Sequence, residues 1–161
     1  MHASYHGDKQ KVRKLLSEDE VDVTIEDYFG RNAFSLARLN GQYQTIANFL
    51  NKNAFGIADL NKKDNSGNTL LMDLCNIGDE IMVKNLLEFQ FDVNVKNNNG
   101  DTALHLAVKN DHDSIVAILI REGEKLGIDL NESDNEKNSP LATALISKKV
   151  NVIQAFLYQN F

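Results

Sequence analysis

Few residues in this 161-residue chain could do chemistry. There are four histidines (His2, His6, His105, His112) and one cysteine, Cys75. His2 and His6 are four apart, so a helix would put both imidazoles on one face, but a zinc site needs further ligands than these two. Cys75 has no basic neighbour in sequence to draw its thiol into a thiolate, so a small buried hydrophobe is expected there. The acidic run 129–136 resembles a calcium loop only in part. It lacks the mid-loop glycine, and Pro140 stands where the twelfth-position glutamate belongs. No Gly-rich phosphate loop follows a strand pattern. Asn131-Glu132-Ser133 is a glycosylation sequon, which matters only on a secretory route. These residues predict no enzyme, no metal site and no cofactor.

Composition narrows the classes further. Lys plus Arg number 17 and Asp plus Glu 23, a formal net charge of −6. With 42% apolar and 25% charged residues the chain is globular in composition rather than disordered. One Pro, nine Gly and no Trp argue against a sandwich or barrel. The longest strongly apolar run, 115–120, is far short of the roughly 20 residues that span a bilayer. The first fourteen residues hold no apolar stretch that would serve as a signal peptide. A lone cysteine cannot form an internal disulfide, which suits a reducing cytoplasm; delivery into another cell by a route without a signal is compatible with the same facts. The acidic balance disfavours nucleic acid, and the cluster Lys9, Lys11, Arg13, Lys14 reads as a solvated helix face. Asn is unusually frequent, at 20 residues, many at expected turns, where Asn tolerates left-handed backbone.

The elements that must position these residues come from an internal repeat. Asp22-Val23-Thr24, Asp59-Leu60-Asn61, Asp92-Val93-Asn94 and Asp129-Leu130-Asn131 recur at spacings of 37, 33 and 37. Six residues past each lie Gly30, Gly67, Gly100 and Lys137, and seven further Ala37, Leu74, Ala107 and Ala144. Ala3 begins a fifth copy in the same register. The next marks are Gly7, Gly41, Gly78, Asp111 and Lys148, and then apolar pairs such as Leu86-Leu87 and Leu119-Ile120. Each copy predicts a first helix capped by Asn32, Thr69, Thr102 or Ser139. A turn of positive φ follows, and then a second helix with one apolar stripe. Neither helix reaches the ~12–15 residues needed alone, so the copies must stack. Repeats two and four carry four extra residues, about one helical turn, after the second helix.

The segment Gly100-Asp101-Thr102-Ala103-Leu104-His105-Leu106-Ala107 resembles the signature of the ankyrin repeat family, and Ser139-Pro140-Leu141 keeps its proline. The resemblance runs from Ala3 to about Leu157. It implies an all-α ankyrin-repeat solenoid, helix-turn-helix repeats joined by hairpin-like loops. One domain over 1–161 is expected, in repeats 1–24, 25–61, 62–94, 95–131 and 132–161, the first without its hairpin. It places His105 in the signature position, bonding within the hairpin, and His112 after the inter-helix turn.

Family resemblance also implies the working surface, a concave strip of hairpin tips and exposed first-helix ends that binds proteins. Carried over by register, its residues here are Tyr5, Tyr28, Phe29, Arg31, Leu39, Asn65, Ser66, Asn68, Ile77, Asn98, Asn99, Asp101 and Lys109. Tyr28 and Phe29 stand out, because exposed aromatics mark contact sites. The competing expectation is that Phe29 folds back to cap the first repeat. The expected role is a non-catalytic interaction module or adaptor, a monomer with protein partners, no nucleic acid and no membrane insertion. The alternatives are a regulatory subunit or inhibitor of an enzyme, and an ankyrin segment of a larger multidomain protein.

Overall fold

The structure, a computed structural model, describes residues 1–18, 22–51 and 60–158. The chain divides into two compact units, Met1–Leu60 and Asn61–Phe161. Among the described residues every regular element is helical.

The first unit holds α1 (His2–Tyr5), α2 (Lys9–Leu16), α3 (Ala33–Leu39) and α4 (Tyr43–Asn51). α1 packs on α3 and α2 on α4. Asp8 caps α2, its Oδ1 accepting from the Lys11 N–H at 3.0 Å. Asn32 caps α3 in a reciprocal box with Ser35. Val12, Ile46, Leu50 and the edge-to-face pair Phe34 and Phe49, 6.0 Å between ring centres, fill the core. Between α2 and α4 the seam is polar: Arg13 Nε donates to Asn48 Oδ1 at 3.0 Å, and Thr45 is buried beside it on α4.

The second unit has two layers. α5 (Leu70–Ile77), α7 (Ala103–Lys109) and α10 (Pro140–Ile146) form one. α6 (Glu80–Leu86), α8 (Asp113–Arg121) and α11 (Val150–Tyr158) form the other, and a single turn, α9 (Gly123–Leu126), follows α8. Each helix packs on its pair mate and on its equivalent in the next repeat. Thr69, Thr102 and Ser139 cap α5, α7 and α10 as the sequence predicts. The core is a line of small layers (Leu74, Val83 and Leu86, then Ala107, Val116 and Leu119), all essentially inaccessible.

The extra residues of repeat four form α9 and a loop. Gly127 ends α9 in the left-handed region at φ 67°, and Asn94 ties the loop down. Its Nδ2 donates to the Gly127 carbonyl at 2.6 Å and its Oδ1 accepts from the Asp129 N–H at 2.9 Å. The insertion of repeat two, the Asp59 mark, the side chain of Lys9 and the terminal Phe161 lie outside the described residues.

All five inter-helix turns have positive φ where the register places them, including the non-glycine Asp111 at 63° and Lys148 at 54°. An L-side chain there costs roughly 1–2 kcal/mol. Lys148 is exposed, so its side chain offers little in return. Lys148→Gly is expected to raise the unfolding free energy by about 0.5–1 kcal/mol, read from urea midpoints. An unchanged or lower midpoint would contradict this account of the turn.

Candidate protein-binding surface

The loops before the first helices share one construction. Asp27, Asp64, Asn97 and Asp134 each turn a side-chain oxygen back onto the chain. Asp64 Oδ1 accepts from the N–H groups of Ser66 (2.9 Å) and Asn68 (2.8 Å), and Asn97 Oδ1 from those of Asn99 and Asp101, both at 2.9 Å. Asp27 and Asp134 repeat the pattern. Backbone bonds such as Asn97 N–H to Asp101 O (2.9 Å) close each loop. The tips are therefore rigid hairpin-like turns, though no strand forms. These four residues recur 37, 33 and 37 apart, three before the Gly or Lys at the tip. That spacing is the sequence signal for these turns, distinct from the Asp-x-Asn marks and the glycines.

In the second unit successive tips are stitched together by asparagine. The Asn98 N–H donates to the Ser66 carbonyl (3.0 Å) and its Nδ2 to the Asn65 carbonyl (3.0 Å). One repeat on, Asn135 does the same to Asn99 (3.1 Å) and Asn98 (3.1 Å). The approach is so close that a Cβ on Gly67 would meet the Asn98 backbone nitrogen at 2.8 Å, and one on Gly100 that of Asn135 at 2.7 Å. Lysines add to the seam. Lys63 Nζ donates to the Lys96 carbonyl (2.8 Å) and Lys96 Nζ to the Ser133 carbonyl (2.9 Å), with Glu132 paired to Lys96.

The expected strip is only partly free. Tyr5, Leu39, Ile77, Asn65, Ser66, Asn98 and Asn99 are exposed. Asn68 is half-buried and its Oδ1 accepts from Asn97 Nδ2 at 3.0 Å. Asp101 departs from the expectation. It is buried, with its carboxylate held 2.6 Å from Lys109 Nζ, so both residues serve the joint between repeats four and five. Lys109 also reaches the buried Asp134, at 3.3 Å. Two of the four acids of the calcium-like run are likewise spoken for, since Glu132 and Asp134 are paired with lysines.

Tyr28 is 97% and Phe29 74% exposed, so Phe29 does not fold back over the first repeat. The two rings meet edge to face, 5.5 Å apart. The Arg31 guanidinium lies 4.7 Å from the centre of the Phe29 ring and is forked onto Asp27 Oδ2 at 2.9 and 2.7 Å. Asp27 therefore fixes both the turn and the arginine under the ring, and the Arg31 charge is answered within the tip.

Sequence comparison agrees with this geometry. A family model of ankyrin repeats (three copies) matches residues 1–96 and 71–161. The chain belongs to the ankyrin repeat family. Among curated proteins it is similar to the ADP-ribosylation factor GTPase-activating protein AGD4 of Arabidopsis thaliana, 33% identical over 63 residues. That match covers 39% of this chain and 8% of the plant protein.

Within the ankyrin fold the signature histidine works across repeats as well as within its own. His105 Nδ1 accepts from the Thr102 N–H (3.2 Å), which leaves the proton on Nε2 to donate to the Asn138 carbonyl of the next repeat (3.0 Å). Burial pulls its pKa below the ordinary 6.5, against the upward pull of that carbonyl and of Asp101 and Asp134. A group with a depressed cationic form contributes its full stability above the unfolded pKa and loses it as pH falls below. Unfolding free energy should therefore fall as pH drops below the ordinary 6.5 in the wild type and change less in His105→Gln. Equal slopes in urea titrations would refute the assignment.

Around Lys109, burial raises the pKa of Asp134, but the Asn138 N–H, the Lys109 ammonium and the Glu136 N–H outweigh it and hold the carboxyl below 3.8. Removing the cation would leave two nearly inaccessible carboxylates unanswered. Because Lys109 is itself partly exposed, Lys109→Met should cost about 2–3 kcal/mol rather than the larger cost of a fully buried pair. Chemical unfolding would show it, with the loss shrinking as pH falls far enough to protonate Asp134.

Proposed function

We propose that this chain is a non-catalytic adaptor whose anchor for a protein partner is the Tyr28–Phe29 tip of the first unit, extended by the exposed Tyr5 and Leu39 of the same unit. The observation that carries the reading is the exposure of two large rings on a turn locked by Asp27. A rigid tip loses little conformational entropy on association. Aromatic residues and arginine are the side chains that most often dominate binding energy. Arg31 is already neutralised, so the tip favours an uncharged, apolar partner surface over an anionic one. The remaining tips mix Lys63 and Lys96 with Asp64 and Glu136, so no continuous basic track for nucleic acid is expected. Among the described residues no helix is long and apolar enough to cross a membrane, and Cys75 is buried and free. A cytoplasmic setting fits both.

A second reading places these repeats inside a larger multidomain protein. It rests on the plant relative, in which the matching stretch is 8% of the length.

The adaptor reading is tested by capture from source-cell lysate with wild-type chain and with the Tyr28→Ala/Phe29→Ala variant as paired baits. Each substitution should weaken a captured partner by about 1–3 kcal/mol. It should leave the unfolding free energy within about 0.5 kcal/mol, because both rings are exposed. Equal binding by the two baits would defeat the reading.

A further inference from the structure

Ser17 is exposed at the C-cap of α2, where its Oγ donates to the Lys14 carbonyl at 2.6 Å. In the sequence it precedes Glu18, Asp19 and Glu20, and no other serine or threonine of the chain is followed by three acids in succession. Thr24 and Ser133 come nearest, each with two acids among the next three residues. Their acids are used by the fold. Asp27 is forked by Arg31, and Asp134 is buried against Lys109. Thr24 itself donates to Asp22 at 2.6 Å, and Ser133 is half-buried.

One turn before Ser17, on the same side of α2, stands the exposed Arg13. Its Nε donates to Asn48 Oδ1 on α4 at 3.0 Å, a bond that crosses from the first repeat to the second. Asn48 and Thr45 are nearly inaccessible. Even so, Asn48 Nδ2 and Thr45 Oγ1 have no hydrogen-bond partner among the described residues. This seam is therefore only partly satisfied, and the bond from Arg13 is what answers the Asn48 side chain.

We infer that Ser17 is a phosphorylation site for a protein kinase that selects acidic flanks, and that phosphate there loosens the first repeat on the second. Kinases choose among accessible hydroxyls by charge pattern, and successive carboxylates complement a basic substrate groove. The γ-phosphoryl group of a nucleoside triphosphate passes to Ser17 Oγ. A bond forms between that oxygen and the γ-phosphorus, and the bond from the phosphorus to the β–γ bridging oxygen breaks. The nucleoside diphosphate leaves, and the hydroxyl proton goes to the kinase. Ser17 can then no longer donate to Lys14. A group of about −1.5 to −2 charge sits at the negative end of α2 beside Glu18, which disrupts that last turn. It also lies within one turn of Arg13. Its charged oxygens compete with the neutral Asn48 amide, because a charge-assisted bond is roughly twice as strong. Drawing the guanidinium away leaves Asn48 buried with neither end of its amide paired.

The full chain is incubated with Mg-ATP and an acid-directed kinase of the casein-kinase type, and the products are mapped by peptide mass spectrometry. Phosphate is expected on Ser17. It should be absent from that peptide in Ser17→Ala, and the Glu18→Gln/Asp19→Asn/Glu20→Gln variant should lose most of the rate. Amide hydrogen exchange then compares the modified and unmodified chains. With phosphate on Ser17, α1 and α2 should exchange about tenfold faster, the worth of one charge-assisted bond, while α5 to α11 keep their rates. In Arg13→Ala, which lacks the grip already, phosphate should add less than that. A chain that takes no phosphate on Ser17, or takes it equally well without the three acids, overturns the assignment. A phosphorylated chain whose first repeat exchanges no faster, or gains as much in Arg13→Ala as in the wild type, overturns the loosening.

Discussion

Helix pairs this short cannot hold themselves together, so the second unit depends on how one hairpin grips the next. The grip is an asparagine that spends its backbone N–H and its side-chain amide on two successive carbonyls of the hairpin before it, first at Asn98 and then at Asn135. Each bond is worth on the order of 1 kcal/mol net. Their larger effect is geometric. They set the spacing at which α5 packs on α7 and α6 on α8, and the apolar burial that follows supplies most of the stability.

The same arrangement explains why polar residues are so prominent in a chain with no polar chemistry to perform. Gly67 and Gly100 admit the neighbouring backbone, Asp64 and Asn97 stiffen the turns, and Lys109 closes the joint between the last two repeats over two buried carboxylates. Several residues with the look of a binding strip are thus occupied in holding it. What remains free is concentrated at Tyr28 and Phe29. There the tip carries rings in place of the asparagine that elsewhere performs the stitching, and Arg31 and Asp27 hold one of them.

The first unit is built on the same plan with different materials. Its second helices meet through Arg13, Asn48 and Thr45 where the later repeats use Met82, Ile115 and Val152. A polar seam is weaker per unit area than an apolar one unless every group is paired. The first repeat is therefore held mainly by Val12, Phe34 and Phe49, and by the packing of α1 on α3.

Much of this was legible in the sequence, because stacking imposes a strict period. The caps Asn32, Thr69, Thr102 and Ser139, the positive-φ turns down to Asp111 and Lys148, and the stripes Leu86-Leu87 and Leu119-Ile120 all recur in register, each set by local backbone geometry. The sequence by itself determined the family, the helices and which residues face inward within a repeat. Only the tertiary structure decided which polar residues are free. Asp101 and Asn99 are equally polar in sequence, yet one is buried against Lys109 and the other lies open, because the difference depends on where the fold brings Lys109, eight residues further on. Whether Phe29 folds inward was decided in the same way. Asp27 and Arg31 fix the tip outward, and a spacing of residues along the chain holds no record of that contact.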